Sequence, residues 1–436
     1  KWMDEESYSM WLESILDPVI TVHPDRVFFE AFSQDQSAYG MVIADTSIFE
    51  TAGEVKYGTT NVDFTETLHA ALGTMRSSRE TWFRVGPQGF GVETAEADAG
   101  HFEEKVDLPE SWVRGFLQLQ GAMAMPGTRF DVRPVDLKTV IRYIGEHIAY
   151  VSPRSIRWEF QPGEDVQAVI EPWNELVTMK GARHNYTDPK TTRIWGRKRL
   201  ALLEPLLGHA TKIEVYLKGR ALPSFYAVEL PGVTFVLGLS GWSNQGFTEA
   251  ASFDLLTADG VERAWVDRGL AYLRDNYHCD EAQLAEAIGC DKPTAAQVLT
   301  ELCRLGRAIY DVRARDFRHR ELFSDPIDPD EFYPPDPRKA ESQRLVDSGK
   351  VTVENTETRR KEKVSPPAVE GGESTVTVFE SLVIQGDVDG KSTHIVVQDT
   401  GRIIFGRCTC AFFDTNLMNK GPCEHMPVSY THLTLP

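Results

Sequence analysis

Over the first 260 residues, apolar and polar positions follow one another in short runs. "RVFFEAFS", "AYGMVIA" and "SIFETAG" are aromatic and β-branched runs between polar breaks, the pattern of strands. "NVDFTETLHAALGTM" instead repeats its apolar residues at Phe64, Leu68, Ala71, Leu72 and Met75, which is a helical period. "ETWFRVGPQGFGVET" predicts a hairpin that turns at Gly86, Pro87 and Gly89. Two more helices are predicted, "LPESWVRGFLQLQGAMAM" with Pro109 in its first turn and "VDLKTVIRYIGEHI" opened by Asp136. Residues 1–150 are therefore expected to form an α+β region. From 151 to 262 strand patterns dominate: "SIRWEFQ", "DVQAVIEP", "TKIEVYLK", "SFYAVEL" and "VTFVLGLS". A predicted helix, "TTRIWGRKRLALLEPLLGH", interrupts this second, strand-rich α+β region.

The pattern then shortens. "RAWVDRGLAYLRDN", "DEAQLAEAIG" and "PTAAQVLTELCRLG" have helical periods, with Asp280 placed to cap the second and Pro293 in the first turn of the third. Gly289 to Lys292 supply the short turn of a helix-turn-helix. "RAIYDVRARDFRHRELF" follows with the alternation of a hairpin, so 263–323 reads as winged-helix-like. Residues 324–375 are rich in proline and charge and read as a linker, with a brief helix at "RKAESQRLVDSG". "TVTVFESLVIQG", "STHIVVQD" and "RIIFGRCTC" are strands of a small module over 376–427. The fold class expected is α+β multidomain.

Composition narrows the function. The 436 residues have no run of about 18 apolar positions, so no membrane span is expected, and no charged-then-apolar leader opens the chain. The first residue is Lys1 rather than Met, so further residues are expected before it. Six cysteines, three of them bunched with a histidine inside eighteen residues near one end, are not a disulfide framework; a reducing cytoplasmic setting is expected, where clustered thiols point to metal. A net charge of −19 argues against a chain that coats nucleic acid indiscriminately.

Cys408 and Cys410 flank one residue, as do Cys423 and His425, with twelve residues between the pairs. Three thiolates and one imidazole suit Zn2+ in a tetrahedron, and four protein donors leave no position for water, so the site is structural rather than catalytic. Two cysteines at i and i+2 on a strand share one face, about 6.6 Å apart along it, and a turn of the backbone there is expected to let both sulfurs close on one ion. Gly421 and Pro422 can set the turn that aims the second pair.

The arrangement C-x-C, C-x-H after a strand resembles the SWIM zinc finger, and Phe412, Phe413 and "GPCEHM" resemble its bacterial branch. The resemblance implies a zinc-stabilised ββα module that binds DNA or protein. The longer chain, with "VFFEAFSQDQSAYG" near its start, looks like long bacterial SWIM proteins and brings no activity with it. Such a module continues past its histidine into a helix. Here "VSYTHLTLP" follows, with no helical period. That string matches the translation of a transposase adapter used in DNA library preparation, so 428–436 are expected to be an artefact, with Pro427 a junction codon. The finger is then truncated, with weakened zinc affinity, and His432 is not a ligand.

Arg304, Arg307, Arg313, Arg315, Arg318 and Arg320 with His319, against Asp311 and Asp316, form a basic island on the hairpin. Arg313, Arg315, Arg318 and Arg320 can contact phosphate from a wing, or the hairpin arginines can pair with acidic surroundings. The predicted recognition helix exposes Lys292, Gln297, Glu301 and Arg304, a poor base-reading face. From 401 to 426, Arg402, Arg407 and Lys420 exceed Asp414 and Glu424 by one charge, so any duplex affinity is expected on the hairpin rather than the finger. Cys279, Cys290 and Cys303 read as packing thiols. "GRKR" at 196–199 reads as a solvated basic face, and "GPQGFG" as a turn, because no helix follows it. G-x-S-x-G, P-loop and H-E-x-x-H motifs are absent. The expected function is non-catalytic DNA or protein binding, with no small-molecule substrate evident. The alternative is an enzyme in the N-terminal α+β region, which a cleft of convergent titratable groups would support.

Overall fold

The computed structural model describes residues 18–33, 35–95, 100–106, 108, 110–124, 127–151, 153–219, 222–241, 247, 261–323, 337–365, 375–398, 403–416 and 422–434. The fold is mixed α and β with several sheets, and the chain divides into two compact units, Lys1–Phe332 and Tyr333–Pro436. Among the described residues no helix is long and apolar enough to cross a membrane.

The first unit is built on an eight-stranded antiparallel sheet. Its strands are β1 (Val19–Val22), β2 (Arg26–Phe32), β3 (Ala38–Asp45), β4 (Gly58–Asn61), β8 (Thr128–Val132), β13 (Lys212–Leu217), β14 (Ser224–Leu230) and β15 (Val233–Leu239). The order is β4-β1-β2-β3-β15-β14-β13-β8. Strands from both sides of residue 150 share this sheet, so the boundary expected there does not separate two bodies. Alternation decides the packing: Phe225 and Ala227 of β14 face one way, and Tyr226 and Val228 the other. The first face is covered by α2 (Glu110–Ala124) through Phe116, Leu119, Ala122 and Met123. The second packs on α3 (Pro134–Glu146) and on the sheet of β9 (Ile156–Phe160), β10 (Gln167–Ile170), β11 (Glu175–Thr178) and β12 (Lys190–Ile194). Each such core side chain contributes roughly 1.5–3 kcal/mol by leaving water.

A small sheet of β5 (Thr81–Gly86), β6 (Gly89–Thr94) and β7 (His101–Glu104) carries the predicted hairpin and packs with α1 (Glu66–Gly73), capped by the Thr65 side chain. Three sequence expectations change. Helix α3 starts at Pro134 rather than Asp136, because proline suits the first helical position, where its missing N–H costs nothing. "SIFETAG" yields a short 3-10 turn, Thr46–Ile48, instead of a strand. "TTRIWGRKRLALLEPLLGH" splits into β12 and a 3-10 segment, Arg197–Leu203, because Gly196 takes a left-handed conformation (φ 76°) that ends any regular element. Pro109 lies outside the described residues.

The segment from 263 carries α4 (Arg263–Asn276), α5 (Glu281–Ile288) and α6 (Lys292–Arg304), then β16 (His278–Cys279), β17 (Ala308–Asp311) and β18 (Asp316–His319), ordered β16-β18-β17. Asp280 closes a capping box with Gln283 on α5, and Asp291 caps α6. Leu273, Leu284, Val298, Leu299 and Leu302 form its core. Cys279 and Cys303 are buried in it, and desolvation pushes both thiols up to about 12, which suits packing and not chemistry.

The second unit holds α7 (Pro337–Asp347), β19 (Val351–Ser365), β20 (Thr375–Val388), β21 (Lys391–Gln398), β22 (Ile403–Cys408), α8 (Ala411–Asn416) and α9 (His425–Thr434). The strands form one antiparallel sheet in chain order. Much of the expected linker is thus regular: the brief helix is α7, and 351–365 pair with β20. Residues 324–336 and 366–374 of it lie outside the described residues.

Candidate metal centre

β22 delivers Cys408 as its last residue, and the chain bends through Thr409 and Cys410 before α8 begins. Side chains at i and i+2 of a strand already share a side, and the bend goes with the close approach of the two sulfurs, whose donor atoms lie within 4.8 Å. Thr409 fixes it by bonding Ser392 twice: its N–H donates to the Ser392 carbonyl (3.2 Å) and its Oγ1 accepts from the Ser392 N–H (3.1 Å). Cys410 in turn opens α8, its Sγ accepting from the Phe413 N–H at 3.4 Å and its carbonyl from Asp414 N–H at 3.1 Å.

Cys423 and His425 come from the start of α9. Helix α7 holds this second pair from the other side: Arg338 donates to the Pro422 carbonyl at 3.0 Å and lies 4.8 Å over the Phe412 ring, and the Ser342 hydroxyl donates to the Glu424 carbonyl at 2.7 Å. The sequence offered no sign of this clamp beyond the helix itself.

The result is one cluster in which the donor atoms of Cys408, Cys410, Cys423 and His425 all lie within 4.8 Å of one another, all four residues being buried. Ile384, Ile395, Val397 and Met426 surround it. The four groups shift one another's titration. The Cys408 thiol beside Cys423, helped by His425, holds the Cys423 thiol down to about 4. The same contacts push Cys408 up and raise His425, and burial raises Cys410. Zinc binds cysteine as thiolate, so a bound dication would take all three sulfurs deprotonated. The donor set and its spacing therefore fit a bound metal ion.

Where "VSYTHLTLP" shows no helical period, the structure has a helix after His425. Residues 425–434 are helical, with Pro427 tolerated because it falls in the first turn. Met426 and Val428 are buried, and Ser429 bonds Thr393 Oγ1 at 2.7 Å. The helix forms because these few residues meet the sheet, not because of a periodic apolar stripe. Arg402 and Lys420 lie outside the described residues; Arg407 is exposed on β22.

The hairpin arginines are placed differently from a phosphate-binding wing. Arg318 is 1 % exposed; it donates to Asp25 at 2.7 and 3.0 Å and to Asp311 at 2.8 Å. Arg320, also 1 % exposed, donates to Glu30 at 2.8 Å, and Glu30 also receives Tyr39 and Gln120. Arg313 donates to Asp45 at 2.7 Å, Arg307 is buried near Glu321, and Arg304 pairs with Glu301 on its own helix. Asp311 additionally takes Arg26 and the N–H groups of Arg313 and Ala314. Of the four residues considered for nucleic acid, Arg315 alone is exposed, at a left-handed backbone position (φ 62°). This pairing has a simple cause: Asp25 in the turn before β2, Glu30 on β2 and Asp45 on β3 stand opposite the hairpin, acids far away in sequence. In "GRKR", Arg197 is likewise buried, bonded to the Glu171 carbonyl and stacked 4.7 Å over Trp173.

No family model and no curated protein matches the chain. Among solved structures, it overlaps the proliferating cellular nuclear antigen of Entamoeba histolytica over 53% of this chain and 92% of that one, at 11% identity and a TM-score of 0.39. The PCNA2–PCNA3 complex from Sulfolobus tokodaii gives 10% identity, coverages of 53% and 92%, and a TM-score of 0.39. PCNA from Thermococcus kodakaraensis gives 14%, coverages of 54% and 94%, and a TM-score of 0.38. Overlaps this slight assign neither family nor activity.

Proposed function

We propose that the second unit is a zinc-structured, non-catalytic binding module of the SWIM type, and that the protein acts through it as an adaptor for a protein partner. The observation that carries this reading is the closed set of three cysteines and one histidine, buried and mutually within 4.8 Å. Thiolate and imidazole in that ratio favour zinc over the harder cations, and four protein donors fill a tetrahedron, leaving no place to activate water. The hairpin bears on the partner. Arg313, Arg318 and Arg320 are spent on internal acids, which supports a protein partner over a phosphate backbone.

Metal analysis of the full chain tests the proposal. One zinc per chain is expected in the wild type and none in a variant carrying Cys408→Ala and Cys423→Ala. Equal zinc in both would sink it. Duplex DNA binding with a steep salt dependence would retain the module but overturn the adaptor reading.

A further inference from the structure

A cleft of about 650 Å³ opens in the first unit, between the β1–β4 edge of the large sheet and the helix–hairpin segment. That volume is within the roughly 300–1,000 Å³ of small-molecule sites. Three features of its lining point the same way.

The first is an acceptor without a donor. His23 is 3 % exposed, and its Nε2 lies 2.7 Å from the His319 carbonyl oxygen. A carbonyl only accepts, so Nε2 carries the proton and Nδ1 is left as a bare lone pair. Among the described residues Nδ1 has no hydrogen-bond partner. Burial keeps the ring neutral, with its pKa pushed down to about 4, so the lone pair persists at neutral pH.

The second is an aromatic rim. The Tyr57 ring is 44 % exposed and sits edge-to-face with Tyr277 at 5.2 Å. Tyr277 adopts φ 66°, ψ −32°, a conformation that L side chains rarely take and that persists only when surroundings enforce it. Here its N–H donates to the Leu273 carbonyl and its carbonyl accepts from His319 N–H, pinning the ring beside the opening.

The third is charge. Lys105 is exposed on the lining, and Arg274 stands 2.6 Å from Glu321. Among the described lining residues Lys105, Arg274 and Arg320 outnumber the one acid, Glu321, although Arg320 is held by Glu30.

We propose that this cleft binds a small anionic ligand bearing a planar, hydrogen-bond-donating ring, a nucleoside monophosphate by chemical class. Lys105 neutralises the phosphate, Tyr57 offers a face for the ring, and His23 Nδ1 accepts a ring or exocyclic N–H. The site is independent of the metal centre. Titration calorimetry of the full chain with AMP, GMP, CMP and UMP, and with adenosine and inorganic phosphate, tests it. At least one nucleotide is expected to bind, about tenfold more weakly to Lys105→Glu and several-fold more weakly to Tyr57→Ala. Both residues are exposed, so melting of either variant should match wild type. The proposal is overturned if none of the four nucleotides binds, if inorganic phosphate binds as tightly as they do, or if both variants bind as wild type does.

Discussion

In the second unit, four buried donors, three cysteines and a histidine, converge within 4.8 Å. In the first unit, buried Asp311 and Glu30 each receive arginines from elsewhere in the fold. Both clusters are dense in titratable chemistry and both are buried. They differ in whether the rest of the chain completes them. A cluster that the fold completes is a rivet; one that it leaves incomplete is a site. The candidate metal site also differs from the arginine–carboxylate clusters in what its loss costs. Removing the ion from the first leaves crowded thiols, while removing one arginine from the second strands a carboxylate in a low dielectric.

The largest effect that would sharpen this contrast is metal removal. Binding free energy of structural zinc is folding free energy, on the order of 10 kcal/mol in small modules. Chelation is expected to abolish hydrogen-exchange protection across β21, β22 and α9 and to leave the eight-stranded sheet protected. Uniform loss in both units would break the contrast. Next is Arg320→Ala, which leaves Glu30 buried without its counter-charge and should destabilise the first unit by about 3–5 kcal/mol in urea unfolding. A cost near zero would mean that Tyr39 and Gln120 suffice.

The third concerns pH. His23 takes its proton near 6.5 when unfolded but only near 4 in the fold, so between those values the unfolded chain binds more protons. Stability of the first unit should therefore fall as pH drops from 6.5 to 4, by about 3 kcal/mol in total. His23→Gln can still donate to the His319 carbonyl but does not titrate, and should flatten that slope. An unchanged slope would locate the effect in other groups.

Much of this was legible along the chain. The four clustered donors, Cys408, Cys410, Cys423 and His425, stand out because ligand spacing is local. The helices from Arg263 to Arg304 announce themselves by period and by the caps at Asp280 and Asp291. What sequence patterning could not reach is pairing at long separation. Nothing near Arg318 or Arg320 says that Asp25 and Glu30 wait some 290 positions earlier. The same limit hid β19: "VTVENTETRRKEKV" is an edge strand exposed on both faces over 354–359, so it carries no apolar alternation to read. Helix α9 was missed for a related reason, since Met426, Val428 and Ser429 make it through contacts with the sheet.

Zinc-edge X-ray absorption on the purified full chain tests the central claim most directly, because it counts the donors around the ion. The account predicts four-coordinate zinc with three sulfur scatterers near 2.3 Å and one nitrogen near 2.0–2.1 Å. A shell dominated by oxygen, a coordination number of five or six, or fewer than three sulfurs would contradict a closed site built from Cys408, Cys410, Cys423 and His425.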